Sequence, residues 1–410
     1  MRRVSVYWWQ GVNRIKIGEL AQKDSTIVYQ WDTTFLNSQI ELSPLSFKKS
    51  HGLITCPENP FNGLPGLFAD NIPDGWGKIL IKRGFHQMGL SADDFSPLDV
   101  LSYVGNKAMG ALSFEPSLKS NEQWASGRVS LAALEQGVSQ IIEGTESEVL
   151  NAFLESGASP NGIRPKIILK ESKGKFYSGV QDLKASEWLI KFKAPEDPKD
   201  IGAIEYVYSL MAKKAGLNVP EARLFESKKS FVFGSKRFDK INGERFHLHT
   251  LSGILHASPG NFSVGYDLFS KVTRFLTKDQ NEVEQVFKLA SFNYFSCNQD
   301  DHTKNVAFLM DKKGEWKLAP FYDLTFHQTR ANQHKMSLGK DGEMSIEALN
   351  KFGESIGLRK PKIKKIIDEV KESVSKFRIL SKDLIQSKKE RERILSTIES
   401  KLTINRGIER

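Results

Sequence analysis

The residues with the clearest chemical content are Asn298-Gln299-Asp300-Asp301-His302-Thr303-Lys304-Asn305, followed a little later by Ala319-Pro320-Phe321-Tyr322-Asp323. Phosphoryl transfer from ATP needs one carboxylate beside the attacking hydroxyl. It also needs an amide oxygen and a second carboxylate to hold Mg²⁺ against the phosphates. Asp300, Asn305 and Asp323 supply that set. The step of five from Asp300 to Asn305 matches the interval between base and metal-binding Asn in kinase catalytic loops. Lys304 is placed to neutralise the phosphate in transit, and His302 to brace the loop through hydrogen bonds rather than to act as acid or base. Asp and Asn also cap ordinary turns. The catalytic reading therefore depends on Asp323 and on a lysine further upstream.

That lysine is Lys191, which ends the apolar run Trp188-Leu189-Ile190. An ammonium in such a strand is costly unless it is paired or ligated. Glu205, on the helix that follows, is a partner of the kind that orients a phosphate-binding lysine in kinases. The alternative is a solvent-facing lysine on an edge strand, a part that Lys193 plays equally well. Upstream, Gly157-Ala158-Ser159-Pro160-Asn161-Gly162-Ile163-Arg164-Pro165-Lys166 runs directly into a strand. Gly and Asn let backbone N–H groups turn around an anion, and Arg164 and Lys166 add positive charge. The loop is neither a Walker A sequence nor Gly-x-Gly-x-x-Gly.

The elements around these residues follow from pattern. Residues 4–116 show short alternating runs broken by Gly, Pro and Asn, which predicts a β-rich module. Two Gly-bearing segments stand out in it, Leu67–Lys78 with Ile72-Pro73-Asp74-Gly75-Trp76-Gly77 at its centre, and Tyr103–Phe114. The first reads as a loop feeding a helix over 77–87 and the second as a turn entering a strand, and neither carries obvious chemistry. A polar connector over 117–127 leads to a helix bearing Leu131, Leu134, Val138 and Ile141. Strands at 166–170 and 187–192, a helix over 201–215 stopped by Gly216, and strands at 222–226 and 230–239 complete a β-β-α-β-β order. Beyond Leu251 the pattern is helical, except for a short hairpin of 306–310 and 316–319. The Lys- and Glu-rich tail over 363–402 reads as a solvated amphipathic helix.

A chain of 410 residues with 39% hydrophobic and 26% charged residues is long enough for two or three folded units and is not disordered. Lys plus Arg outnumber Asp plus Glu by 59 to 49, a modest excess that suits acidic partners without selecting one. Cys56 and Cys297 are too few and too far apart for a disulfide framework or a zinc knuckle. The N-terminus lacks the apolar core of a signal peptide and no window approaches a membrane span, so a cytoplasmic protein with no membrane partner is expected.

Taken together, these motifs resemble the HipA-type serine/threonine kinases, the toxins of type II toxin–antitoxin pairs. The resemblance covers Ile72–Gly77, Gly105–Phe114, Ser159–Lys166, Trp188–Phe192, Arg237-Phe238-Asp239, Asp300–Asn305 and Pro320–Leu324, in the family's order. It implies an α+β, two-lobed protein-kinase-like fold. Its expected parts are an N-terminal β-rich HipA-type module (1–116), an N-lobe-like region with the nucleotide loop (117–250) and a mostly helical C-lobe with the catalytic loop (251–410). It makes Asp300 the base, Asn305 and Asp323 the Mg²⁺ ligands and Lys191 the ATP lysine. Asn161, Gly162, Ile163, Arg164, Pro165 and Lys166 become the nucleotide loop. His302 to Asn305 and Tyr322 also line the nucleotide site, and Lys236, Arg237 and Phe238 lie beside the adenine, although Lys236 stands where some relatives carry an acid. Ser159 falls at the autophosphorylated serine that shuts down nucleotide binding, with Ser156 as the alternative. The resemblance further implies a protein substrate such as an aminoacyl-tRNA synthetase, a HipB-like helix-turn-helix antitoxin, and operator DNA bound through the complex. A small-molecule or lipid kinase would use the same catalytic residues, and a catalytically inactive co-repressor is the non-enzymatic alternative.

Overall fold

The computed structural model describes residues 2–89, 95–117, 127–145, 147–156, 162–180, 185–227, 230–260, 263–338 and 344–403. The chain divides into two compact units. One comprises Met1–Glu196, Glu226–Ser258 and Phe308–Glu315, and the other Asp197–Phe225, Pro259–Ala307 and Trp316–Arg410.

In the first unit, two-residue periodicity builds the first sheet. β1 (Arg2–Gln10) buries Val4, Val6 and Trp8, and β3 (Thr26–Trp31) buries Ile27, Tyr29 and Trp31, with β2 (Asn13–Lys23) between them. Adding β4 (Leu53–Thr55) and β5 (Leu112–Glu115) gives an antiparallel sheet of order β4-β3-β2-β1-β5. Tyr29, Trp31, Phe47 and Phe68 pack there with ring centroids 4.9 to 5.8 Å apart.

The same unit holds β6 (Gly127–Val129), β7 (Lys166–Ser172), β8 (Lys175–Ser178) and β9 (Ser186–Lys191). β10 (Ala222–Glu226) precedes β11 (Phe231–Lys236), and the strands of this unit lie in the order β11-β9-β7-β8-β6. The strands predicted at 166–170 and 187–192 are present within a residue or two of those bounds. β8 is an addition to the expected order: Lys173 (φ 50°) and Gly174 (φ 73°) make a two-residue turn that sets Ser172 opposite Lys175. The helix predicted from Gly77 starts earlier, at Gly75, and runs to Gln87. The helix Leu131–Glu143 buries Leu131, Leu134, Val138 and Ile141 on one face and stops at Gly144 (φ 86°).

The second unit is mainly helical, with helices Ile201–Lys214, Tyr266–Thr277, Gln280–Ser296, Ile346–Ser355, Lys360–Ser375 and Lys388–Thr403. The β-rich N-terminal part and helical C-terminal part of the expected α+β fold are thus both observed. Helix 280–296 buries Val283, Val286, Phe287 and Ala290 and packs on helices 266–277 and 360–375. The Asp279 side chain accepts the Asn281 N–H at 2.8 Å to start it, and Cys297 in the left-handed region (φ 57°) ends it. The tail differs from the single helical run predicted for 363–402. It breaks after a short turn at Phe377–Leu380 and restarts at Lys388, where the Asp200 carboxylate accepts the Ser387 N–H at 2.7 Å. Its outer face carries the expected i,i+4 pairs Lys365–Glu369 and Lys376–Glu372. No helix among the described residues is long and apolar enough to cross a membrane.

Candidate active site

Helix 280–296 delivers the chain into Asn298–Asn305, and two hydrogen bonds gather the predicted catalytic residues. Asn305 donates its side-chain N–H to the Asp300 carbonyl at 2.9 Å, closing the loop on itself. The Tyr322 hydroxyl donates to the Lys304 carbonyl at 2.7 Å, tying the residue before Asp323 to the residue before Asn305. The strands Ala307–Met310 and Trp316–Leu318 carry the chain between these points, and the Ala319 N–H meets the Ala307 carbonyl at 2.9 Å. Asp323 sits at φ 60°, a left-handed conformation uncommon for a residue with a side chain though Asp tolerates it, and such backbone clusters at functional sites. Asp300, His302, Lys304, Asn305, Tyr322 and Asp323 therefore share one unit and one locale, all of them partly accessible.

The neighbouring acid has a different part, one that the sequence did not reveal. Asp301 is 3% exposed. Its Oδ2 accepts the Tyr266 hydroxyl at 2.7 Å and His334 Nδ1–H at 2.9 Å, while its Oδ1 accepts the Lys335 N–H at 2.8 Å. Tyr266 in turn accepts from the Asn293 amide at 2.9 Å, and Asn293 accepts from Asn298 at 2.9 Å. Burial, and then the Asp301 carboxylate, hold the Tyr266 phenol well above its ordinary pKa, so it remains a donor. The loop is braced by Asp301 rather than by the His302 side chain: His302 Nδ1 is buried without a partner, and His302 contributes its carbonyl to the Asn305 N–H at 2.8 Å.

In the first unit, β7 and β9 pair so that Lys166 lies opposite Lys191. Both lysines are buried, at 3% and 8% exposure, and Lys191 Nζ stands 5.6 Å from the Phe233 ring centre. Directly opposed residues of a ladder share one face of the sheet, so the two lysines lie on the same side of it. Lys193, read from the sequence as a solvent-facing lysine, turns its ammonium to the carbonyls of Ala194 and Pro195 at 3.1 and 3.2 Å. Arg164 is half-buried and Pro165 buried, whereas Ile163 projects into solvent at 83% exposure. Glu205 is buried at 2% exposure in helix 201–214 of the second unit. Asn161 and Ser159 lie outside the described residues, while Ser156 ends the helix Leu150–Glu155 and donates its hydroxyl to the Phe153 carbonyl at 2.9 Å.

Arg237 is engaged in full. Its guanidinium grips Asp239 through Nη2–Oδ2 at 2.7 Å and Nε–Oδ1 at 3.0 Å, and reaches Glu187 at 2.8 Å. Asp239 also accepts the Gly110 N–H at 2.6 Å. Burial works to raise the Asp239 pKa, yet the adjoining guanidinium holds it below the ordinary range. The charged groups of Arg237-Phe238-Asp239 thus fix this segment to β9 and to the second Gly-bearing segment of the N-terminal module.

Another constellation has the connectivity of a nucleophile triad. Ser43 Oγ lies 3.0 Å from His249 Nε2, and His249 Nδ1 lies 2.6 Å from Asp70. Ser43 and His249 are both fully buried, so no substrate reaches the hydroxyl. Asp70 also binds the Thr250 N–H and hydroxyl at 2.8 and 2.6 Å, which makes the cluster an internal brace.

A family model described as the HipA N-terminal domain matches residues 5–115, and one described as the HipA-like C-terminal domain matches residues 158–377. A Haemophilus influenzae protein named "Putative kinase" is 25% identical over 252 residues, covering 53% of this chain and 72% of that protein. Among solved structures, the Shewanella oneidensis MR-1 toxin–antitoxin system HipA, determined with HipB and operator DNA, superposes with a TM-score of 0.67 at 18% identity, covering 97% of this chain and 95% of that one. The Helicobacter pylori proinflammatory kinase CtkA gives a TM-score of 0.37 at 13% identity over 53% of this chain and 87% of that one.

Proposed function

The chain belongs to the HipA family, and from that premise we propose that it is an ATP- and Mg²⁺-dependent serine/threonine protein kinase acting as the toxin of a type II toxin–antitoxin pair. The observation that supports this reading is a pair of bonds, Asn305 to the Asp300 carbonyl and Tyr322 to the Lys304 carbonyl, which tie together the two segments that carry the candidate base and the candidate oxygen ligands. Because Asn305 commits its amide N–H to the Asp300 carbonyl, the amide oxygen is the atom left for a hard cation, and Asp323 adds a carboxylate. Asn305 and Asp323 would hold the Mg²⁺, which would supply charge neutralisation for the phosphates during transfer.

The remaining work falls to the chain itself. The Asp300 carboxylate accepts the proton of the substrate hydroxyl as that oxygen attacks the γ-phosphorus; the bond from the γ-phosphorus to the β,γ-bridging oxygen breaks and ADP leaves, while the Lys304 ammonium offsets phosphate charge. Lys191 and Lys166 bind the α- and β-phosphates from the strand side. The backbone of Gly162 to Lys166 and of Lys236 to Phe238 brackets the nucleotide. Self-inactivation by phosphorylation of Ser159, or alternatively Ser156, places a dianion beside this loop. A HipB-like helix-turn-helix antitoxin and operator DNA are the proposed partners, in line with the complex in which the Shewanella HipA was solved. A translation protein such as an aminoacyl-tRNA synthetase is the proposed substrate, in the cytoplasm.

Incubation of the purified protein with Mg²⁺ and γ-labelled ATP, alone and with cell-extract proteins, tests this reading. Label is expected on protein Ser or Thr, with Asp300→Asn slowing transfer by about 10²- to 10⁴-fold, the usual worth of a general base. Label confined to small metabolites, or none on any protein, refutes it.

A further inference from the structure

The Ile72–Gly77 segment has no obvious chemistry as sequence, yet it meets the loop assigned to the nucleotide. Asp74 Oδ1 accepts the Gly162 N–H at 2.5 Å, and the Trp76 N–H donates back to the Gly162 carbonyl at 3.2 Å. Trp76 Nε1–H donates to the carbonyl of Lys166, the first residue of β7, at 3.0 Å. Both backbone polar groups of Gly162 are therefore engaged by one turn. The approach is close enough to require glycine: at Gly75 (φ 44°) a Cβ would lie 2.6 Å from both the Gly162 carbonyl oxygen and the Ile163 Cα. The turn is anchored by Trp76, which is fully buried and packs edge-on against Phe153 at 5.4 Å.

What this turn holds in place is the backbone over a cation. A Cβ on Gly162 would fall 2.3 Å from Lys166 Nζ, so the path of Gly162 is set directly against that ammonium group. We propose that Asp74 is a positioning residue for nucleotide binding, fixing Gly162 against Lys166 so that the phosphate-facing backbone is formed before the nucleotide arrives. The role rests on the reading of residues 162–166 as nucleotide contacts. It follows from geometry: a carboxylate accepting a backbone N–H makes a stronger bond than a neutral acceptor, and a preordered loop avoids the entropic cost of ordering on binding. Asp74 touches no reacting atom, so its loss acts on nucleotide affinity and leaves the chemical step alone.

The test uses the full chain with ATP and Mg²⁺. Asp74→Ala is expected to weaken ATP binding, read by calorimetry and as KM, about tenfold or more, with kcat within about twofold. Asp74→Asn keeps an acceptor oxygen and is expected to recover most of the affinity, which general loss of structure would not allow. Gly75→Ala, which displaces the turn without touching Asp74, is expected to weaken binding in the same way. Hydrogen exchange of the 162–166 amides without nucleotide is expected to rise in Asp74→Ala. Wild-type affinity in Asp74→Ala, or equal losses in the Ala and Asn variants, overturns the proposal while leaving the kinase reading intact. A wild-type protein that binds no ATP overturns both.

Discussion

Asp301→Asn changes one atom beneath the candidate catalytic loop, and the structure gives the size of its effect. The carboxylate receives the Tyr266 hydroxyl at 2.7 Å, His334 Nδ1–H at 2.9 Å and the Lys335 N–H at 2.8 Å, so both of its oxygens are acceptors. An Asn in its place has one acceptor oxygen, and its NH₂ must face either the phenol and imidazole or the backbone amide of Lys335. The phenol oxygen already accepts from Asn293, and the site is 3% exposed, so no water replaces the lost partner. A hydrogen bond to a charged group is worth about 1.5–3 kcal/mol, and a buried unsatisfied group costs about 1–3 kcal/mol more, giving an expected loss of about 2.5–6 kcal/mol. Urea unfolding of the wild type, Asp301→Asn, Tyr266→Phe and the double variant measures it. The two changes share a bond, so their effects are expected to fall short of additivity by about 1 kcal/mol or more. Because Asp301 adjoins Asp300, kcat is expected to drop in Asp301→Asn under conditions where the variant is still folded. A stability loss below about 1 kcal/mol, or strict additivity with Tyr266→Phe, refutes the bracing role.

Two further outcomes are expected. Burial, and then the neighbouring His249, push the His247 pKa down to about 3 from an ordinary 6.5. Between those values the unfolded chain holds a proton that the folded chain excludes, so this contribution to stability is whole above about pH 6.5 and falls with pH by about 1.4 kcal/mol per unit. His247→Gln, able to keep the donor to the Leu42 carbonyl seen at 2.9 Å, is expected to flatten the difference between unfolding free energies at pH 7 and pH 5, and an unchanged difference contradicts the assignment. Tyr322→Phe removes the 2.7 Å bond to the Lys304 carbonyl and is expected to cost about 1 kcal/mol of stability. In the same variant the Mg²⁺ concentration for half-maximal phosphotransfer is expected to rise severalfold, as seen in a metal titration, because Asn305 and Asp323 lose their tie.

Much of the scaffold was legible because apolar periodicity reports which face of an element is buried. Ile204, Val207, Tyr208 and Met211 marked helix 201–214, and all four are buried. The runs at 166–170 and 187–192 became β7 and β9, which set Lys166 opposite Lys191. Within the candidate catalytic segment the interval from Asp300 to Asn305 is closed locally, by a bond spanning five positions. The tail's break at 381–387 was hidden because the group that caps the restart is Asp200, far away in sequence.

The same distinction explains why the bracing acids escaped notice. Asp301 binds Tyr266 and His334, 35 and 33 positions away, and Asp74 binds Gly162 across 88 positions. No periodicity encodes such pairs, and an Asp in a Gly-rich or polar loop reads as solvated unless its partners are known. Asp300 and Asp301 are adjacent and chemically identical in the sequence, yet burial divides them. The half-buried carboxylate of Asp300 is the one proposed to take a substrate proton, while the buried one is consumed by four donors. A loop that must hold a base within a few tenths of an ångström needs an anchor rigid enough to resist the base's own motion, and a charge buried with full hydrogen bonding provides it. On this reasoning the acid with no part in the chemistry is the one whose replacement most disturbs the fold around it.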